Sequence, residues 1–405
     1  MKRNKGIQLV FSAVILFTIL SVSHIVLKLE FTPPQTITAK EGDYLVYLTT
    51  NPSEKSQLIF YSLTNEHKMP LLSNWDISGI AVSANGRLAF VSVQENARAI
   101  YILDYPFTNG EPVRITEDNS KDYSRMTWSK DGQYLAYVST QDDKSSLSIW
   151  DGEHIFQIFD SFKQISELSW GPDNRLAFTE FALAANEKDS GEIFFWDGEK
   201  IVNLSQNPTG EDRFPEWNEN GLLAFNSNQN GEHDILVWDG HSTKHGLPDV
   251  DTFSNIAPHV THYYSAPLWS DSNTLTFAGS SPGDKHIQIY EWDGMKAHNL
   301  SQNPDFNNGG QRWRGDGYWS FSTYFSSEQL IYVRDTQNQP VLITEGWYPP
   351  AWSPSGYLIF CNQTETDTGR QWVLSLWDGA KVIEIEQSFK IEAFWSNSSS
   401  VLCSF

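Results

Sequence analysis

Short apolar runs recur along this chain, and within them apolar and polar positions follow a period of two. LAYVS from Leu135, LAFTE from Leu176, LAFNS from Leu223, LTFAG from Leu275 and LIFCN from Leu358 are too short for helices and are bounded by turn residues, so each reads as a buried strand. Ahead of each stands a Trp with a turn signal: WSKDGQY from Trp128, WGPDNR from Trp170, WNENGL from Trp217, WSDSNT from Trp269 and WSPSGY from Trp352, with WRGDGYW from Trp313 as a sixth. A second apolar run then ends in Trp-Asp-Gly, in copies that start at Trp150, Trp196, Trp238, Trp292 and Trp377.

The gaps between those copies are 46, 42, 54 and 85 residues. The last is nearly two ordinary gaps, and Val333-Arg334-Asp335 supplies a degenerate copy inside it. A fainter one, Leu103-Asp104-Tyr105, extends the series upstream, and Val82 in VSANGRLAFVS opens its unit. A period in the forties with two turn signals per unit marks a repeat architecture of four-stranded propeller blades. Within a unit the segment ending at the first Trp is strand A, the LAYV-like run is B, the run into Trp-Asp is C, and D follows. Asp-Gly between C and D predicts a type I′ hairpin turn. The Trp rings fill space between blades, and five Asp residues on separate blades cannot share one substrate.

Both ends of the chain supply part of a blade. TITAKEGDYLVYL, SQLIFYSL and KMPLLS precede Val82, and KIEAFWSNSSSVLCSF follows Ser388. Joining these halves closes the ring and removes free strand edges. The expected fold is all-β: a propeller of eight four-stranded blades over 37–405, or seven if a terminal half packs outside.

Upstream, Ile7 to Leu27 contains no acid and no Lys or Arg, long enough to span a bilayer as one helix. We read 1–6 as a basic cytoplasmic tail, 7–28 as a transmembrane signal anchor and 29–36 as a short linker, with the propeller outside. Cleavage of a signal peptide near Ser21-Val22-Ser23 is the rival, which would leave a secreted or periplasmic protein. Cys361 and Cys403 are the only cysteines. They occupy similar phases of neighbouring units, where facing sheets stand about 10 Å apart, so two buried thiols are expected rather than a bridge.

Composition narrows the partners. The chain of 405 residues carries a net charge of −22 even with its basic N-terminus, and such a surface repels phosphate backbones. Nucleic acid is excluded. Sixteen Trp among 14% aromatic residues support a large core.

WSPSGYLIF, FPEWNENGLLAFNSNQNGEHDILVWDG and the twice-used NLSQNP at Asn203 and Asn299 resemble the repeats of the TolB family of extracytoplasmic bacterial propellers, distant relatives of WD-repeat proteins. The resemblance covers roughly 36–405 and implies the propeller fold. Two departures from that family are expected: no segment patterned as its separate N-terminal α/β domain, and a larger blade count.

Antiparallel blades put the repetitive A–B and C–D turns on one face and the varied B–C and D–A loops on the other, where binding residues are usually found. FALAANEKDSGE, CNQTETDTGRQ and the long stretch between Asp239 and Trp269 are the varied segments. Aromatic and Arg residues just before strand A, Arg213, Phe214, Tyr263, Tyr264, Trp347 and Tyr348, with His259 and His262, are the candidate binding residues at the channel mouth. His241, His245, His259 and His262 with Asp249 and Asp251 are competent zinc ligands, yet no HExxH helix accompanies them, so no metal and no cofactor is assigned. No G-x-S-x-G elbow, P-loop or dinucleotide fingerprint occurs. Asp142-Asp143 read as loop residues, whereas Asp212 or Glu216 could face the channel beside Arg213. The expected function is a tethered scaffold that binds a protein or small ligand on its loop face. The alternatives are a hydrolase or lyase acting on glycans or peptides at the channel mouth, and a structural or sensory ectodomain.

Overall fold

A computed structural model describes residues 43–403, except 52–54, 108–109, 118–120, 183–189, 230, 232, 245–246, 258–265, 271–272, 282, 315, 326–327, 335–339, 368 and 396–399. The apolar segment 7–28 and its flanks lie outside the described residues. Among those described, no helix is long and apolar enough to cross a membrane.

Eight antiparallel sheets form a closed ring of blades. Seven are continuous in sequence, each ordered A-B-C-D from the channel outward. Their A strands are Asp76–Val82, Asp122–Trp128, Gln164–Trp170, Asp212–Trp217, Leu268–Trp269, Asn307–Trp313 and Trp347–Trp352. The eighth is composite, as the split ends predict: Lys390–Trp395 is its A strand, and Tyr44–Thr50, Gln57–Ser62 and His67–Leu71 are B, C and D. Leu45 faces Trp395 and Leu48 faces Glu392 across the closing ladder.

The strand A Trp turns out to be a latch. Its indole N–H donates to the backbone carbonyl just before the equivalent position of the preceding blade: Trp128 to Ala81 O at 3.1 Å, Trp170 to Thr127 O at 3.2 Å, Trp269 to Glu216 O at 2.9 Å, Trp352 to Arg312 O at 3.1 Å and Trp395 to Ala351 O at 3.0 Å. The Trp of Trp-Asp-Gly packs on the latch of its own blade, with ring centroids 6.2 Å apart for Trp128 and Trp150 and 6.0 Å for Trp217 and Trp238. An Arg from the preceding blade often covers the pair, as Arg87 does over Trp128 and Trp150. In the degenerate copy Arg334 replaces the Trp, lies over Trp319 and donates to the carbonyls of Leu300 and Ser301.

Two expectations fail here. The Trp-Asp-Gly turn is not type I′: Gly152, Gly198, Gly240, Gly294 and Gly379 have positive φ, but the Asp before each does not. The central pair is Gly-X, as in a type II′ turn, and the Asp stands before it with its carboxylate accepting two backbone N–H groups. Asp151 takes Glu153 N at 2.9 Å and His154 N at 2.7 Å, and Asp378 takes Ala380 N at 2.9 Å and Lys381 N at 2.8 Å. Pairs of left-handed residues do occur, at Glu95-Asn96 and Asp142-Asp143, in B–C hairpins.

The cysteines are not thiols. Cys361 and Cys403 form a disulfide with Cα atoms 5.8 Å apart. Ser400–Cys403 is a fifth strand on the free edge of Lys390–Trp395, one step nearer the channel than any A strand. That extra step carries Cys403 off its own blade and onto strand B of the seventh, so the separation of facing sheets does not apply.

Candidate ligand-binding mouth

Because A–B and C–D are tight turns, every A strand runs from the loop face to the turn face. Six of the eight are bulged partway along, with the register broken between Ile77 and Gly79, Ser124 and Thr127, Ser166 and Ser169, Arg213 and Glu216, Gly309 and Arg312, and Trp347 and Ala351. Bulges re-aim side chains and are frequent beside binding sites. The residue three before the latch is left-handed at Arg125, Glu167, Phe214 and Gly310, with φ of 52°, 55°, 59° and 64°. Three non-glycine residues in that conformation, one a bulky Phe, cost about 1–3 kcal/mol each. The strain is repeated around the mouth of one channel.

Interactions hold the strained residues in place. The Glu167 carboxylate accepts Phe214 N at 2.9 Å and Thr179 Oγ1 at 2.7 Å through Oε2, and Arg213 Nε at 3.0 Å through Oε1. Arg213 lies over Phe181 at 4.5 Å and Phe214 at 5.0 Å. Arg213 and Phe214, expected just before strand A, lie within it, where Glu167 of the neighbouring blade engages Arg213 and fixes the shape of the rim.

Deeper in the channel stand groups that the sequence reading passed over or left open. Burial pushes the Glu216 carboxyl up to about 7, against the pull of Lys130, a Ser169 hydrogen bond and Arg312. It pushes Glu392 up to about 7 as well, although Lys390 and the Ile80 N–H oppose it. Asp212 is wholly buried at the start of its strand and rises to about 6 for the same reason. Asp212 and Glu216 do not pair with Arg213. Glu167, Arg312 and Glu392 occupy the positions three or one before a latch Trp, a rule readable from the repeats once strand A is known to line the channel.

Of the other candidates, His259, His262, Tyr263 and Tyr264 lie outside the described residues, as does His245. Trp347 and Tyr348 begin strand A of the seventh blade. Among the described residues no group of three or more His, Cys, Asp or Glu could hold a metal. Asp249 instead caps a short 3-10 turn by accepting Asp251 N. CNQTETDTGRQ is no loose loop: Leu358–Thr366 and Gly369–Trp377 extend as a hairpin of two nine-residue strands. NLSQNP is a structural turn in both copies, since Ser205 Oγ accepts Ile193 N at 3.0 Å and Ser301 Oγ accepts Ile289 N at 3.1 Å.

No protein-family model matches the chain, and no curated protein matches it in sequence. Solved structures do match. The β-propeller domain of the trilobed protease from Pyrococcus furiosus is 16% identical, with 85% of this chain and 95% of that one covered at a TM-score of 0.50. Prolyl oligopeptidase B from Galerina marginata is 10% identical, with 82% of this chain and 52% of that one covered at a TM-score of 0.54. TolB from Acinetobacter baumannii also matches, at 12% identity over 76% of this chain and 80% of that one, with a TM-score of 0.38. This chain spans about half the length of the oligopeptidase. At these identities the likeness is one of fold. The chain is an eight-bladed β-propeller.

Proposed function

We propose that this protein is a membrane-tethered, extracytoplasmic scaffold that captures a protein or other ligand on its loop face without covalent chemistry. The observation that carries the reading is the strained rim: Arg125, Glu167 and Phe214 hold left-handed backbone at one ring position, and Glu167 spends its carboxylate on fixing it. A preorganised mouth lowers the ordering cost of binding. The Cys361–Cys403 disulfide supports an oxidising compartment, where such bonds persist. One observation favours a second reading, a hydrolase at the channel: Glu216 and Glu392 are poised near neutrality, as general acids and bases are.

Site-specific photocrosslinking in membranes tests the first reading on the full chain. Arg125 stands exposed at the mouth and Glu153 stands exposed on a Trp-Asp-Gly turn. A saturable adduct formed from position 125 and absent from position 153 is the expected result. Adducts from the turn face alone would assign binding to the opposite side.

A further inference from the structure

Blade six departs from the rim pattern. Where blades two, three and four carry Ser124-Arg125, Ser166-Glu167 and Arg213-Phe214, it carries Gly309-Gly310, in the sequence NNGGQRW. Beside the Gly pair a cavity of about 350 Å³ opens between blades five and six, lined by Leu268, Ala278, Ile287 and Tyr324 beside Gln311 and Arg312, with Pro349 of blade seven at one side. Ligand pockets start near this size, at roughly 300 Å³.

The seam there is also wedged. The latch Trp313 does not reach a carbonyl of blade five; its N–H donates to Thr276 Oγ1 at 3.2 Å, and that hydroxyl donates on to Leu268 O at 3.2 Å. One hydroxyl is inserted into a contact that is direct at five other seams.

Two donors face this space with capacity to spare. Gln311 is 1% exposed, and its Nε2 has no partner among the described residues. Arg312 Nη1 donates to Gln311 O at 2.7 Å, a single bond from a group with five N–H donors. Glu216 attracts Arg312 across the channel, but burial pushes its carboxyl up to about 7, so near neutral pH it is only partly ionised and neutralises the guanidinium incompletely. Asn308, by contrast, is fully used, its amide donating to Phe306 O at 2.8 Å and its Oδ1 accepting Thr323 Oγ1 at 2.9 Å.

We propose that the cavity between blades five and six is a pocket for a carboxylate carried on a short apolar group, with Arg312 and the Gln311 amide as donors to the carboxylate and Leu268, Ile287, Tyr324 and Pro349 around the apolar part. A guanidinium suits a carboxylate by its paired donors. The C-terminal aliphatic residue of a peptide and a free aliphatic acid share this chemistry. The inference rests on the reading that the loop face binds.

Calorimetric titration of the full chain with acetyl-Ala-Leu acid, its C-terminal amide and hexanoate tests it. The peptide acid binds at least ten-fold more tightly than the amide; the tighter of the peptide acid and hexanoate names the source. Arg312→Gln weakens the acid at least ten-fold. Gly309→Val fills the space without touching a charge, and the site tolerates it: Gly309 has ordinary φ, and a Cβ there meets Tyr324 at 3.6 Å. That variant also abolishes binding while the melting temperature holds. Equal affinity for acid and amide, no binding of either acid, or full binding by folded Gly309→Val overturns the pocket. Crosslinking from position 125 that survives such a failure leaves the scaffold reading standing; loss of both removes both.

Discussion

Trp217 and Trp395 occupy the same repeat position and are both wholly enclosed, yet only one is bonded. Trp395 Nε1 donates to Ala351 O at 3.0 Å, whereas Trp217 Nε1 has no partner among the described residues and the ring is covered by Arg175 at 4.5 Å. A Gly explains the difference in packing: a Cβ at Gly171 would meet the Trp217 ring at 2.8 Å, so the indole is pressed against backbone. Replacing an indole by a benzyl ring removes the N–H and part of the area. Trp395→Phe removes a buried hydrogen bond and costs about 0.5–1.5 kcal/mol more than area alone, while Trp217→Phe relieves a stranded donor and costs less. Urea denaturation of the two variants measures the difference; equal losses would mean that the latch bonds contribute nothing.

The inner strand Ser400–Cys403 is where a single element decides closure. Among the described residues it pairs only with Lys390–Trp395, and the disulfide ties it to Leu358–Thr366 of the seventh blade. The covalent loop spans a sequence separation of 42 residues, for which loop-closure entropy gives about 4 kcal/mol. The double variant Cys361→Ser, Cys403→Ser is expected to lose about 2–4 kcal/mol and to expose the C-terminus to proteolysis before the rest unfolds; unchanged protection of the last ten or so residues would contradict this. The blades themselves were legible because Trp, a turn and an alternating run recur at fixed spacing, and the composite eighth blade followed from counting strands at both ends. Ser400–Cys403 carried no such signal. It is a strand because a free A-strand edge is available to it, a tertiary circumstance, and the bridge became invisible with it. The rim was less legible: Arg213 and Phe214 were placed before strand A and lie within it, their partner Glu167 comes from another blade, and no repeat signal marks Gly309-Gly310 as the edge of a cavity.

For the molecule as a whole, protonation and acidity act together. Glu216 and Glu392 titrate near 7 and Asp212 near 6 when folded, above the roughly 4 of unfolded carboxyls. The folded state thus binds more protons between about pH 4 and 7, and stability falls as pH rises through that window. Asp151, Asp197 and Asp239 are held below their ordinary value, Asp151 by its two backbone hydrogen bonds and the other two by similar bonds that outweigh burial. Their contribution is present above about pH 4 and is lost as pH falls below it. Melting temperature should therefore be higher at pH 5.5 than at pH 8. The double variant Glu216→Gln, Glu392→Gln should remove much of that difference, on the order of 2 kcal/mol per group; an unchanged pH profile would place the dependence in the net charge of −22 instead. The closing ladder has one more consequence. Tyr44–Thr50 is bonded along both edges, to Lys390–Trp395 and to Gln57–Ser62, and it is entered from the turn face, where the backbone carbonyl of Asp43 receives Leu63 N. A tether attached upstream of Asp43 would pull along that strand, loading two ladders in shear instead of unzipping an edge, and would suspend the ring with its mouth turned away from the point of attachment.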